Sequence, residues 1–424
     1  MKLNYRLLIV TSFIFFLCFG NIFKLVLINI LHLPNFISPV RDLIFIAFFI
    51  QSISMLQSRR DLNVVLTLSF ILVIFSGIYI STGFEENVYR ESIYYLRSYI
   101  YPLLFFTGVY LHRFWIAKNH SKVLTFCLVV NVAVIMLGII LYLYFWSDRS
   151  IFHSLLGNEA SYVWYIDKAF ILRMGIPFAG PNTFGIYLAS QVFLIFYLRS
   201  QFVLERGVSR FLITMNLVAL FLTFSRSSIL FVLVAFVLQY LINFKVKNLL
   251  ILLKQILLLS ILVFLFGLVL NIISDQALIK WVQGTLTGND SSIGGHLNIF
   301  SQFLERFDDF YLFGYENGLV GPRAYLFHDS YFEVKNSENS FLVVLYDMGM
   351  IVGVCYLLLF ISTAALTITN KFAVALYVGI MVNFQFLPNI YELDALMMIF
   401  FNIGLISFLY YGNSKLSRAT VNNT

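Results

Sequence analysis

Runs of about 20 apolar residues recur along the chain, and that is the length a helix needs to cross the hydrocarbon core of a bilayer. Twelve such windows stand out, at 7–28, 37–57, 62–80, 95–111, 122–146, 177–198, 211–225, 227–243, 248–272, 339–361, 372–389 and 395–411. Hydrophobic residues make up 60% of the 424 and charged residues 12%, with mean hydropathy +0.87. A water-soluble globule of this size would lack the polar surface to cover itself. The expected fold is therefore all-α, a polytopic transmembrane helical bundle of about twelve spans.

The first window follows Lys2 and Arg6 and resembles a secretory signal. It has no small-x-small cleavage site, and Leu17 before Cys18 does not suit a lipoprotein signal, so an uncleaved first span is expected. Cys18, Cys127 and Cys355 all lie in apolar runs and read as packing residues.

Basic residues in short loops set the orientation. With the N-terminus inside, 16 of the 28 Lys and Arg fall on the cytoplasmic side, among them Arg59, Arg60, Arg113, Arg199, Arg206 and Lys371. Of the 21 acids, Asp61 and Glu205 alone join them. Both termini are thus expected in the cytoplasm. The net charge of +7 then reflects loops that flank anionic lipid. It is not a nucleic-acid footprint, since no basic stripe interleaves with stacking aromatics.

Two long outer loops remain, at about 147–176 and 273–338. The expected organisation is a scaffold of five spans over 1–146 and a first periplasmic loop with spans six to nine over 147–272. A large periplasmic loop over 273–338 and spans ten to twelve with a cytoplasmic tail over 339–424 complete it. Within the large loop, Leu297, Phe300, Leu304, Phe307 and Tyr311 recur at helical spacing, with Asn298, Gln302, Glu305, Arg306 and Asp309 largely opposite. That pattern suits either a helix at the membrane–water boundary or a capping helix over the bundle.

Polar residues at membrane depth are the candidates for function. Residues 210–243 are too long for one crossing and tight for two. Divided at "TFSRSS", they give halves that rise only about 22–26 Å. This puts Arg226 at the tip of a hairpin near the outer interface, among the hydroxyls of Thr223, Ser225, Ser227 and Ser228. A second cluster, "RMGIPFAGPNTFG", begins at Arg173, with Gly175, Gly180 and Gly185 expected to allow close backbone approach. Each arginine alone could be a structural ion pair or a surface residue. Together at one outer level they suit a lipid-linked pyrophosphate, because the guanidinium fork matches phosphate oxygens and keeps its charge.

The segment "GPRAYLFHDSYFEVKNSENSFL", residues 321–342, supplies candidates for proton transfer: Glu338 and Asn339 at the mouth of the tenth window, and His328 upstream. Asp347 lies nine residues beyond Glu338, about 180° around a continuous helix, and reads as a buried structural partner, with Arg41 and Arg97 as candidate mates. Glu392 and Asp394 form an E-x-D pair, a weak cation-binding signal that is more often a solvated turn.

The order "RMGIPFAGPNTFGIYLA", "FLTFSRSSILFVL", "GHLNIFSQF…FGYENG" and "SENSFLVVLYDMGMIVGVCYL" resembles the O-antigen polymerase and ligase superfamily over residues 173–359. The resemblance implies a GT-C-like bundle in the bacterial inner membrane and glycosyl transfer at its periplasmic face. It implies neither metal nor cofactor. The donor and acceptor would be undecaprenyl-pyrophosphate-linked glycans, with membrane lipid, a chain-length regulator and a flippase as partners. Carried over by motif, Arg173 and Arg226 would stabilise the departing pyrophosphate, with Arg323 from the loop beside them. Glu338 or His328 would accept the proton, and Asn182, Ser225, Tyr331 and Asn339 would contact substrate. The ligase branch has His where this chain has Glu338, so the resemblance favours the polymerase, with a ligase as the alternative within the superfamily. A lipid-linked oligosaccharide flippase is the alternative outside it, although the two halves of the chain show no repeat of the kind transporters carry.

Overall fold

The computed structural model describes residues 5–34, 36–82, 89–147, 165–166, 171–201, 203–242, 305, 339–368, 370–384 and 393–409. Among them are eleven α-helices: α1 (Tyr5–Leu25), α2 (Ile37–Ile53), α3 (Arg59–Thr82), α4 (Tyr89–Leu111), α5 (Arg113–Ser147), α6 (Pro181–Ser200), α7 (Arg206–Leu222), α8 (Arg226–Ile242), α9 (Ser340–Thr367), α10 (Lys371–Phe384) and α11 (Leu393–Phe408). Each overlaps one of the apolar windows. The remaining window, 248–272, lies outside the described residues, so twelve crossings are not established.

Among the described residues, four stretches are long and apolar enough to cross a membrane: Tyr5–Ile30, Arg113–Trp146, Pro181–Ser200 and Asp347–Leu366. Helices over Arg226–Leu241, Lys371–Phe384 and Asp394–Phe408 are apolar but shorter. Among the described residues the regular structure is helical apart from a two-residue antiparallel ladder, β1 (Tyr165–Ile166) with β2 (Ile171–Leu172), in which Tyr165 pairs with Leu172. Exposed apolar side chains recur along the long helices. On α3 these are Leu66, Phe70 and Val73; on α9 they are Ile351, Val354, Leu358 and Ile361. Water would not tolerate such stripes, and lipid does.

The chain divides into two compact units. The first comprises residues 1–45, 121–293 and 370–380. Its centre is α6, whose membrane window is 89% buried. Apolar residues all round this helix specify a buried position rather than a lipid-facing one. α7 and α8 pack against it. Gly185 is required there: a Cβ would stand 2.6 Å from Ser228 Oγ and 2.9 Å from Ser225 Cβ. Farther along, Phe193 and Phe196 meet Phe236 of α8 with centroids 5.4 and 4.9 Å apart. Phe372 of α10 closes the same cluster against Tyr197.

The second unit comprises residues 46–120, 294–369 and 381–424. Here α4 is the hub, packed by α3, α9 and α11. Phe106 lies against Phe400 and edge-on to Phe360, and Phe105 meets Phe48 and Phe401. At one end, Asp61 is fully buried and accepts two bonds from Arg113 Nη2, at 2.9 and 3.1 Å, and one from Tyr110 Oη at 3.2 Å. Arg113 also lies over the Tyr110 and Phe114 rings. Both charges read as loop residues in the sequence. In the fold they make a satisfied buried pair, the arrangement that low-dielectric surroundings demand.

Helix α9 departs from expectation. The sequence reads 339–361 as one continuous span, but Gly349 has φ 74° and ψ 171°, which breaks the helix. In an unbroken helix Leu345 and Gly353 would stand about 12 Å apart along the axis. Instead a Cβ on Gly353 would lie 3.2 Å from Leu345 Cα, so the chain folds back at the break. The roughly two and a half turns before the break, residues 340–348, are too short to cross a bilayer, and the stretch long and apolar enough to do so lies within Asp347–Leu366. Asp347 is fully buried beside the break and accepts a bond from Tyr99 Oη at 2.7 Å, a structural role of the kind its sequence position suggests.

Of the three cysteines, Cys18 and Cys127 are buried, whereas Cys355 is exposed rather than packed. Within the amphipathic stretch of the large loop, Glu305 alone is described, and it is exposed.

Candidate functional site

The site forms where the segment before α6 meets the turn between α7 and α8. At the end of a helix the last carbonyls have no partner within the helix. For α7 the loop supplies them: Met174 N–H donates to Leu222 O at 2.9 Å, and Arg173 Nε–H donates to Thr223 O at 3.0 Å. Arg173 Nη2 also donates to Asn182 Oδ1 at 2.7 Å, in the first turn of α6. One guanidinium therefore ties the end of α7 to the start of α6, and its plane is fixed by bonds at two edges.

The turn itself is tight. Phe224 N–H donates to Phe221 O at 2.9 Å, and Phe224 takes φ 50°, the left-handed region that bulky residues rarely occupy. Thr223 Oγ1 donates to Leu220 O at 2.7 Å and accepts from Ser225 N–H at 3.2 Å. Ser225 O accepts the first helical bond of α8, from Ile229 N–H, and the Ser225 and Ser228 hydroxyls lie 2.8 Å apart. Arg226 is thus the first residue of α8, one step past the hairpin tip where the sequence places it. The hydroxyls expected to line a polar pocket are largely bonded to the backbone and to each other.

Arg173 and Arg226 are both half-buried. Burial, with repulsion from the nearby Arg226 charge, pulls Arg173 down to about 10, so it remains protonated at neutral pH. The two arginines also occupy opposite helix ends. Arg173 faces the C-terminus of α7, where the helix dipole favours a cation; Arg226 sits in the first turn of α8, where it favours an anion. Two neighbouring guanidinium groups beside a helix start form a locally positive field that can hold a phosphate by charge-assisted bonds.

Glycine has one demonstrable role in this cluster. Gly185 brings α6 onto Ser225 and Ser228. Gly180 does not: its φ is 179°, ordinary extended backbone, and a Cβ would meet nothing within 4 Å. Asn339 is the N-cap of α9, and its Oδ1 accepts from Phe341 N–H at 2.9 Å and Leu342 N–H at 3.1 Å. That oxygen is committed to starting the helix. His328, Arg323, Tyr331 and Glu338 lie outside the described residues, as does Glu392, while Asp394 is in the first turn of α11.

The fold and the site together define a helical membrane protein with an arginine-lined, anion-attracting locus. Residues 211–357, from α7 into α9, are similar to the family described as O-antigen ligase, and this supports the O-antigen ligase and polymerase superfamily. The matched segment contains Ser225 and Arg226; Arg173 and Asn182 precede it. No curated protein and no solved structure matches the chain.

Proposed function

We propose that the chain is a membrane-embedded glycosyltransferase that polymerises undecaprenyl-pyrophosphate-linked repeat units into a surface polysaccharide. The observation that carries this reading is the placement of Arg173 and Arg226 at the α7–α8 turn, where Arg173 bonds Thr223 O and Arg226 follows three residues on, next to and within the segment similar to the O-antigen ligase family. When the anomeric carbon–oxygen bond breaks, negative charge develops on the departing pyrophosphate. Preorganised guanidinium groups stabilise that charge more than they stabilise the bound substrate, which is the condition for faster chemistry. A hydroxyl at the non-reducing end of the acceptor attacks the anomeric carbon, and its proton passes to Glu338 or His328. The donor is the growing chain, the acceptor a single lipid-linked repeat, and the reaction inverts the anomeric centre without a metal. The site faces the periplasm of an inner-membrane protein whose termini are both cytoplasmic.

Arg173→Ala and Arg226→Ala should each abolish long polysaccharide while protein abundance stays intact, read from the ladder of chain lengths on a gel. A normal ladder in either variant would overturn the assignment.

A second reading, the ligase, is favoured by the description of the matched family. A deletion strain separates the two. Loss of a polymerase leaves lipid A core capped with single repeats; loss of a ligase leaves bare core and polymer still attached to its lipid carrier.

A further inference from the structure

The turn between α7 and α8 is held from two sides. On one, Met174 N–H and Arg173 Nε–H donate to Leu222 O and Thr223 O. On the other, the start of α6 rests on the start of α8 at Gly185. Phe224 stands between these holds with a φ of 50°, which a bulky residue keeps only where its surroundings impose it. Contacts from outside the turn, and not local preference, therefore fix where the turn and the residues after it stand.

The Gly185 contact leaves no room for a side chain. A Cβ there would stand 2.6 Å from Ser228 Oγ, 2.9 Å from Ser225 Cβ and 3.0 Å from Ser228 Cβ. The Ser228 hydroxyl can swing aside if it gives up its 2.8 Å contact with Ser225 Oγ. The two Cβ atoms cannot, because each is bonded directly to the backbone. Ordinary carbon–carbon contacts are about 3.5–4.0 Å, so a methyl group on α6 would push the start of α8 back by roughly 0.6–1.1 Å. Arg226 lies between the two serines in the chain and moves with them. Arg173 is bonded to Asn182, three residues before Gly185 on the same helix, as well as to Thr223 O. A retreat of α8 therefore stretches that bond to Thr223 O or changes the spacing of the two guanidinium groups.

We propose that Gly185 is a positioning residue for glycosyl transfer: by bringing α6 onto α8 with no side chain between them, it sets the place of the Arg226 guanidinium relative to that of Arg173. This inference rests on the glycosyltransferase reading above. Two cations that stabilise charge developing on one pyrophosphate act through their placement, and a misplacement of about 1 Å costs on the order of a hundredfold in rate.

The experiment uses the full-length protein in nanodiscs, with lipid-linked repeats extracted from a strain deleted for this chain as substrate. Gly185→Ala should lower kcat by about ten- to a hundredfold. KM should stay within about threefold of the wild type, because the lost stabilisation belongs to the transition state. In an Arg226→Lys background the same change should cost less than about threefold further, since a flexible ammonium has no fixed plane to misplace. Gly108→Ala, whose Cβ would meet Phe48 Cε1 at 2.8 Å in the other unit, should melt lower with kcat unchanged. If Gly185→Ala does not fold, Ser228→Val crowds the same contact from α8 and takes its place in each comparison. Wild-type kcat in the crowded variant, while Arg226→Ala is inactive, would overturn the positioning role and leave the glycosyltransferase reading standing. Full multiplication of the two losses in the double variant, or an equal fall of kcat in Gly108→Ala, would overturn it too, by showing loosened packing instead of a misplaced Arg226. An active Arg226→Ala would overturn the reading itself.

Discussion

Arg173 and Arg226 carry the same charge but are set up differently. Arg173 is anchored by Thr223 O and Asn182 Oδ1, so its position depends on neighbours that never need to touch substrate. Lysine could not replace it, because an ammonium cannot hold two partners in one plane. Asn182→Ala removes one anchor and leaves the charge. We expect transfer activity about tenfold lower, with protein abundance and the melting temperature nearly unchanged. Wild-type activity in that variant would show that the anchor does not matter. At this scale the sequence was informative where chemistry is written in residue type. Two arginines, each next to Gly, Pro, Asn or Ser, pointed to a polar cluster. What the arginines bond to was not legible, because Arg173 acts through the backbone carbonyl of Thr223, and every residue has a carbonyl.

At the scale of elements, the apolar windows located eleven helices because bilayer thickness and helical rise fix their length whatever the tertiary contacts. The break in α9 escaped detection. Hydropathy averages over many residues, and a single glycine within "YDMGMIVG" does not lower it. The conformation at Gly349 belongs to a region that only glycine adopts without strain. Gly349→Ala should therefore cost about 1–3 kcal/mol, read as a lower melting temperature of the purified protein in detergent. No change would mean that α9 runs through as a continuous helix. Gly353 works with it by letting Leu345 fold onto the helix, so the pair sets a sharp reversal rather than a helix–helix seam.

For the molecule as a whole, the apolar stripes of α3 and α9 fix lipid as the solvent, and the placement of charge proposes which side is which. That orientation can be read directly. A cysteine replacing Val203, an exposed residue between α6 and α7, should resist a membrane-impermeant thiol reagent added to intact spheroplasts, whereas one replacing Lys280 should react. The opposite pattern would invert the topology and remove the site from the periplasm. By itself the sequence determined the helical class, the helix positions and the residues with charge enough to matter, because each follows from local composition and the thickness of a bilayer. Only the tertiary structure decided that Asp61 and Arg113 are a buried pair, that α9 reverses at Gly349, and that Arg173 closes the end of α7 with Arg226 beside it. The two arginine contacts join segments about 50 residues apart, and burial changes what a charge can do only once its neighbours are in place.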